Sequence, residues 1–196
     1  MMKTILTMYI TMMPVILAGI SNMVVVKRKW FQKRAKPMDG GKELKDGKRI
    51  LGNNKTWLGF FTMIGCSIVT HIVWGLICRL FTGMQSMNQL YLCYENTLLY
   101  NTVVGAVMGV AYMVFELPNS FIKRRLDIPD GKTEKGFKGK LFFVIDQLDS
   151  MFGVIWVLVV VSNINLLEYI NYVLLGGLTH ICVNLVLYKL KIRRNL

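Results

Sequence analysis

Five stretches of about twenty mostly apolar residues divide this 196-residue chain, at about 5–26, 57–80, 97–117, 141–161 and 169–190. Each is long enough to cross a hydrocarbon core of ~30 Å as an α-helix. Lipid offers no partners to backbone N–H and C=O groups, so spanning segments are helices or strands of a closed barrel. Runs of this length without period-two alternation read as helices. Pro14 lies inside the first run and predicts a kink, whereas Pro118 follows the third and is taken as its end. The fold expected is an all-α integral membrane protein: a single membrane domain over 1–196, a bundle of five transmembrane helices with two functional cytoplasmic loops, 27–56 and 118–140.

The charges are as unevenly placed as the apolar residues. Eleven of the 24 lysines and arginines lie in 27–56, seven in 118–140 and four in the tail from Lys189, leaving only Lys3 and Arg79 elsewhere. Cytoplasmic loops retain cations, so the N-terminus is expected outside and the C-terminus in the cytoplasm, in a multi-pass protein of the cell (plasma) membrane. The first run has one preceding cation and no clean small-residue cleavage site, and reads as a retained anchor. Cys66, Cys78, Cys93 and Cys182 form no CxxC pair, which argues against zinc or a disulfide framework. The net charge of +13 suits anionic membrane lipids or phosphorylated substrates. Nucleic acid is excluded as a partner, since no aromatic-rich soluble module accompanies the basic stretches.

The first long loop reads Pro37-Met38-Asp39-Gly40-Gly41-Lys42, then Asp46-Gly47-Lys48-Arg49-Ile50-Leu51-Gly52-Asn53-Asn54-Lys55-Thr56. Glycines among lysines let backbone amides approach an anion while ammonium groups neutralise it. The Gly52-x-x-Lys55-Thr56 piece also precedes a helix, whose positive end favours phosphate. It is not a Walker A loop, because the spacing is short and no strand leads into it. An ordinary positive-inside loop rich in turn residues accounts for the same pattern. The second loop carries Ser120 followed by Lys123, Arg124 and Arg125, which can grip a polyphosphate or simply anchor the chain against head groups.

Asp146 and Asp149 stand at i and i+3 inside an apolar run, hence on one helical face. Carboxylates at membrane depth are costly and face a bundle interior or a water-filled cavity. Two hard oxygen donors on one face suit Mg²⁺, with Mn²⁺ as a substitute, completed by water and substrate phosphates. A helix start at the interface, where acids complement the dipole, is the alternative. His71 and His180 are lone histidines on apolar helices and read as packing residues.

Taken in order, Asn22, Asp39-Gly40-Gly41-Lys42, Asp46 through Gly59, Ser120-Phe121-Ile122-Lys123-Arg124-Arg125 and Asp146-Gln147-Leu148-Asp149-Ser150 resemble the CDP-archaeol synthase family and its wider relatives, the CDP-diacylglycerol synthases. The archaeal pattern carries Gly-Asp ahead of its Ser-Phe block, where this chain has Asn119 and, upstream, Phe115-Glu116. The bacterial enzymes carry His-Gly-Gly where this chain reads Gly136-Phe137-Lys138-Gly139-Lys140. Both departures bear on the lipid more than on the chemistry.

The resemblance implies a CTP-dependent cytidylyltransferase that converts a phosphatidate-like lipid, with diacylglycerol- or archaetidic-type phosphate, into a CDP-activated lipid and pyrophosphate. It implies catalytic roles for Ser120, Lys123, Arg124, Asp146 and Asp149, the two aspartates also holding metal. Substrate contacts fall to Asn22, Asp39, Lys42, Asp46, Gly52, Lys55, Thr56 and Arg125. The contrasting reading is a non-catalytic lipid-handling or transport protein that binds anionic head groups, which would have no use for an acidic pair beside its cations. Five thin helices around a polar site are also compatible with a homodimer.

Overall fold

The computed structural model describes residues 2–130 and 136–190. Lys132, Lys135 and the tail cations Lys191, Arg193 and Arg194 lie outside the described residues. Five long helices carry the apolar runs: α1 (Met2–Val26), α3 (Trp57–Leu80), α5 (Leu98–Arg125), α6 (Gly136–Ser162) and α7 (Leu166–Lys189). All five are long and apolar enough to cross a membrane, making this a multi-pass membrane protein. Short helices α2 (Lys29–Arg34) and α4 (Thr82–Met87), with a 3-10 turn at Gln89–Tyr91, lie between them, and no strand is present among the described residues.

One boundary differs in consequence from the sequence expectation. The third spanning helix does not stop at 117 but runs through Pro118 to Arg125. Proline inside a helix removes one backbone hydrogen bond, a loss that neighbouring helices compensate in a membrane bundle. The chain does the same at Pro14, inside α1. Ser120, Lys123, Arg124 and Arg125 therefore sit on the last turns of a rigid helix, not on a loop. At the other side of the connection, α6 begins at Gly136, so the second loop is much shorter than 118–140.

Glycine sets the closest helix approaches. Gly105 and Gly109 of α5 lie against α3, where a Cβ built on them would stand 2.9 Å from Ile68 Cα and 2.8 Å from Ile64 Cα. Such contact between backbones is how membrane helices gain packing without a hydrophobic driving force. On α6, Gly153 receives the Phe115 ring and the Ala111 carbonyl, and on α7, Gly176 and Gly177 receive Met151 and Leu148.

The termini of these helices divide into two ends. At one end the 82–97 segment packs back on the bundle, with Gln89 N–H donating to Thr11 Oγ1 at 3.1 Å and Ser162 Oγ to the Gln89 carbonyl at 3.1 Å. At the other, the 35–56 loop closes through antiparallel bridges Pro37–Thr56 and Glu43–Arg49 and docks on the end of α5. That basic end carries the candidate site.

The α3–α5 seam gives a direct test. Gly109→Leu forces a side chain into the α3 backbone and is expected to lower the thermal midpoint of the detergent-solubilised protein by at least ~3 °C. Gly65→Ala, where an added methyl meets open space, is expected to leave it in place.

Candidate functional site

The loop at the basic end is built around a carboxylate. Asp39, with a side chain 1% exposed, accepts from Arg49 Nη2 at 2.6 Å and Nε at 3.1 Å, and from the backbone amides of Gly41, Leu51 and Gly52 at 3.0–3.1 Å. Burial works against its charge, yet Arg49 and these amides hold its pKa well below the usual carboxylate range. Of the glycine amides read from sequence as a phosphate cradle, those of Gly41 and Gly52 are thus held by an internal anion, and those of Gly40 and Gly47 donate to the Pro37 and Leu44 carbonyls. Gly52 has a φ of +97°, and a Cβ there would run into the Asp130 carboxylate and lie 3.1 Å from Arg124 Nη1. Only glycine suits both the dihedral and the space.

The same loop is lashed to α5 through charge pairs. Arg125 bonds the Asp46 carboxylate at 2.5 Å and also the Arg49 carbonyl. Lys48 bonds Asp127 at 2.7 Å and the Arg125 carbonyl at 2.9 Å. Ser120 Oγ donates to the Leu51 carbonyl at 2.6 Å. Arg124 pairs with Asp130, whose second oxygen accepts from the Asn53 amide at 3.0 Å, while Arg124 Nε stays buried without a partner among the described residues. Thr56 caps α3 by accepting from Gly59 N–H at 3.1 Å, and Lys42 is exposed.

Beneath this layer lies the acidic centre. Asn119 Nδ2 donates to Asp146 Oδ1 at 2.6 Å and to Asp149 Oδ2 at 2.7 Å, so two carboxylates from α6 converge on one amide from α5. Lys123 Nζ reaches both oxygens of Asp146 at 2.5 Å and lies 5.6 Å from the Phe142 ring centroid. Lys55 pairs with Glu116. Burial alone would depress the Lys55 ammonium, but Glu116, with Asp149 and Asp146 behind it, raises its pKa above the ordinary lysine value. Three carboxylates therefore face two ammonium groups and one carboxamide.

Of the residues named from sequence, Lys123, Asp146, Asp149 and Lys55 come together at this centre, whereas Ser120 and Arg124 bond to the loop layer at Leu51 and Asp130. Asp39, Asp46, Gly52, Thr56 and Arg125 form the layer that shapes it. Asn22 stands apart at the end of α1, its Oδ1 buried and without a partner among the described residues. Glu116, Asn119 and Asp130 were given no role from sequence. Ending the helix at Pro118 hid them, since only a continuous helix puts Glu116, Asn119 and Lys123 on one stripe at i, i+3 and i+7.

Comparison with known proteins places this geometry in context. A family model described as CDP-archaeol synthase matches residues 1–195. The chain is 29% identical to a CDP-archaeol synthase from Sulfurisphaera tokodaii, over 83% of this chain and 82% of that protein. It is 29% identical to one from Methanocaldococcus jannaschii, over 80% and 81%. It is 34% identical to one from Thermococcus gammatolerans, over 58% of each. A solved structure described as an intramembrane enzyme for archaeal membrane lipids biosynthesis shares the fold, with a TM-score of 0.62, 22% identity and coverage of 90% of this chain and 92% of that one.

The Asp39 cluster predicts a pH signature. A carboxylate with a depressed folded pKa contributes stability present above its ordinary value of ~3.9 and lost as pH falls through the lowered one. Limited proteolysis of the 35–56 loop is expected to stay slow at pH 4 in the wild type. Asp39→Asn should speed cleavage about tenfold or more at neutral pH, because Arg49 is left unpaired; equal cleavage rates would contradict the role given to Asp39.

Proposed function

The chain belongs to the CDP-archaeol synthase family, and from that premise we propose that it transfers the cytidylyl group of CTP to a lipid phosphate, in the archaetidic or phosphatidic class, releasing pyrophosphate. The observation that carries this reading is the acidic pair of α6 bridged by Asn119 and paired with Lys123, with Arg124 the next residue of α5 and bonded to Asp130. A head-group binder needs the cations and has no use for the acids.

In the transfer a phosphate oxygen of the lipid attacks the α-phosphorus of CTP. An O–P bond forms as the bond from the α-phosphorus to the bridging oxygen breaks, and pyrophosphate leaves with that electron pair. A phosphate monoester is already ionised at neutral pH, so no general base is required. The demand on the protein is to hold two anions together and to stabilise charge on the leaving group.

The donor chemistry fits Mg²⁺. Two carboxylates presenting oxygens 2.6 and 2.7 Å from a single nitrogen match an ion commonly held by one or two acids and completed by water and phosphates. Asp146 and Asp149 would hold it, and when bound it supplies charge neutralisation and orientation of the triphosphate. Lys123 and Arg124 follow each other at the end of α5 and are assigned to the departing pyrophosphate, where Arg offers a planar fork and Lys a point charge. Ser120 is assigned to positioning of a phosphate or a water beside Lys123. Lys55 keeps Glu116 neutralised and adds positive field on the opposite wall. By the positive-inside rule the basic end faces the cytoplasm, where CTP is available.

The test is purified protein incubated with CTP, Mg²⁺ and a panel of ether- and ester-linked lipid phosphates. CDP-lipid is expected from at least one member, and none from any would refute the reading. Asp149→Ala should lower turnover by about 10³-fold or more without loss of the folded, detergent-solubilised protein; full activity would sink the metal assignment. Chelation of divalent ions should stop turnover, and added Mg²⁺ should restore it.

A further inference from the structure

Gln147 follows Asp146 in the chain yet faces away from the acidic centre. Successive residues of an α-helix lie ~100° apart, which puts Gln147 ~100° round the helix from Asp146 and ~160° from Asp149. The acids point to α5, as does Gly153 one turn beyond Asp149, which receives the Phe115 ring and the Ala111 carbonyl. Gln147, Leu148 and Met151 point to α7. The helix that carries both acids is therefore held between two others on nearly opposite faces.

On the α7 side, apolar packing is pinned by a polar pair. Met151 and Leu148 lie against Gly176 and Gly177. Two turns further along α7, Asn184 Nδ2 donates to Gln147 Oε1 at 2.7 Å, where the two residues are only 3% and 2% exposed. Gln147 Nε2 turns back to the Phe143 carbonyl of its own helix at 3.3 Å, so its carboxamide is fixed at both ends. Asn184 Oδ1 is left buried with no partner among the described residues. An apolar pair of the same shape would fill this place without that orphaned acceptor, so the carboxamides are a poor device for stability alone. The best-attested use of such a buried polar pair is to fix the register of one helix on another.

The acids depend on that register. Their oxygens stand 2.6 and 2.7 Å from Asn119 Nδ2. A carboxylate oxygen ~5 Å from the helix axis moves by ~0.9 Å when the helix turns through ~10°, which is enough to break either bond. A metal held by the same oxygens tolerates less, since ligand distances in such sites keep within about 0.2 Å of their ideal values.

We propose that Asn184 is a positioning residue for the transfer: through Gln147 it fixes the rotation of α6, and with it the geometry in which Asp146 and Asp149 take their metal ion. It acts from the far face of the helix, across a contact that no motif of α7 announces. The proposal rests on the assignment of the metal to those two acids under the cytidylyltransferase reading. It gives α7 a part in the site, although that helix supplies none of the charged groups at the acidic centre.

The experiment titrates the detergent-solubilised full chain with Mn²⁺, read by electron paramagnetic resonance without nucleotide or lipid. It compares the wild type, Asp149→Ala and the double variant Gln147→Met with Asn184→Leu. The double variant keeps the shape of both side chains and leaves no half-pair, so its thermal midpoint is expected to stay within ~2 °C of the wild type or to rise. Its Kd for Mn²⁺ is expected to weaken about tenfold, the lower end of what groups outside the ligand set contribute to metal sites. That split between stability and affinity is what a purely structural pair would not produce. A Kd that is unchanged, or that weakens only in company with a midpoint lower by more than those ~2 °C, overturns the proposal. A wild type with no saturable site, or with one that Asp149→Ala leaves intact, refutes the metal assignment and this proposal with it. A site lost in Asp149→Ala but kept at full affinity in the double variant refutes the role of Asn184 alone.

Discussion

Glu116, Asp146 and Asp149 face Lys55, Lys123 and the carboxamide of Asn119 within the end of the helix bundle. An unmatched charge at this depth is expensive, and removing one partner of a buried pair costs more than the pair contributes. The centre is balanced nearly to neutrality by residues from three different places in the chain: the loop before α3, the last turns of α5 and the first half of α6. Each of those elements must therefore be in register for the others to be tolerable.

The rest of the molecule supplies that register. Gly105 and Gly109 bring α5 against the backbone of α3, and Gly153 brings α6 against α5. Above the centre, Asp39 gathers Arg49 and three amides into a small rigid loop, which Arg125, Lys48 and Ser120 fasten to α5. Many cations at this end already have a carboxylate partner inside the protein. In the proposed reaction the triphosphate would meet a preformed set of paired charges there and exchange anionic partners with them.

Much of this was legible in the residues. Apolar run length located the five helices, though the third runs eight residues past its expected end, and the i, i+3 spacing of Asp146 and Asp149 put both acids on one face, as their shared contact with Asn119 shows. What was missed traces to Pro118. Read as a stop, it assigned Ser120 through Arg125 to a loop and left Glu116 and Asn119 without a role, although Pro14 in α1 was accepted as a kink. Gly105-x-x-x-Gly109 was also readable as a helix-packing motif. The internal use of the glycine amides was not, because nothing in a linear pattern tells a phosphate cradle from a loop closed on its own aspartate.

On the proposed reaction, the acidic centre and the cations beside it bring a lipid phosphate onto the α-phosphorus of CTP. Paired incubations of the purified protein with Mg²⁺, a lipid phosphate, and CTP radiolabelled at either the α- or the γ-phosphate follow both halves of the molecule. Cytidylyl transfer puts α-label in the lipid product and γ-label in free pyrophosphate, in equal amounts. Gamma label in the lipid would mean phosphoryl transfer, and no label in the lipid from either would mean that this site does not join the two substrates.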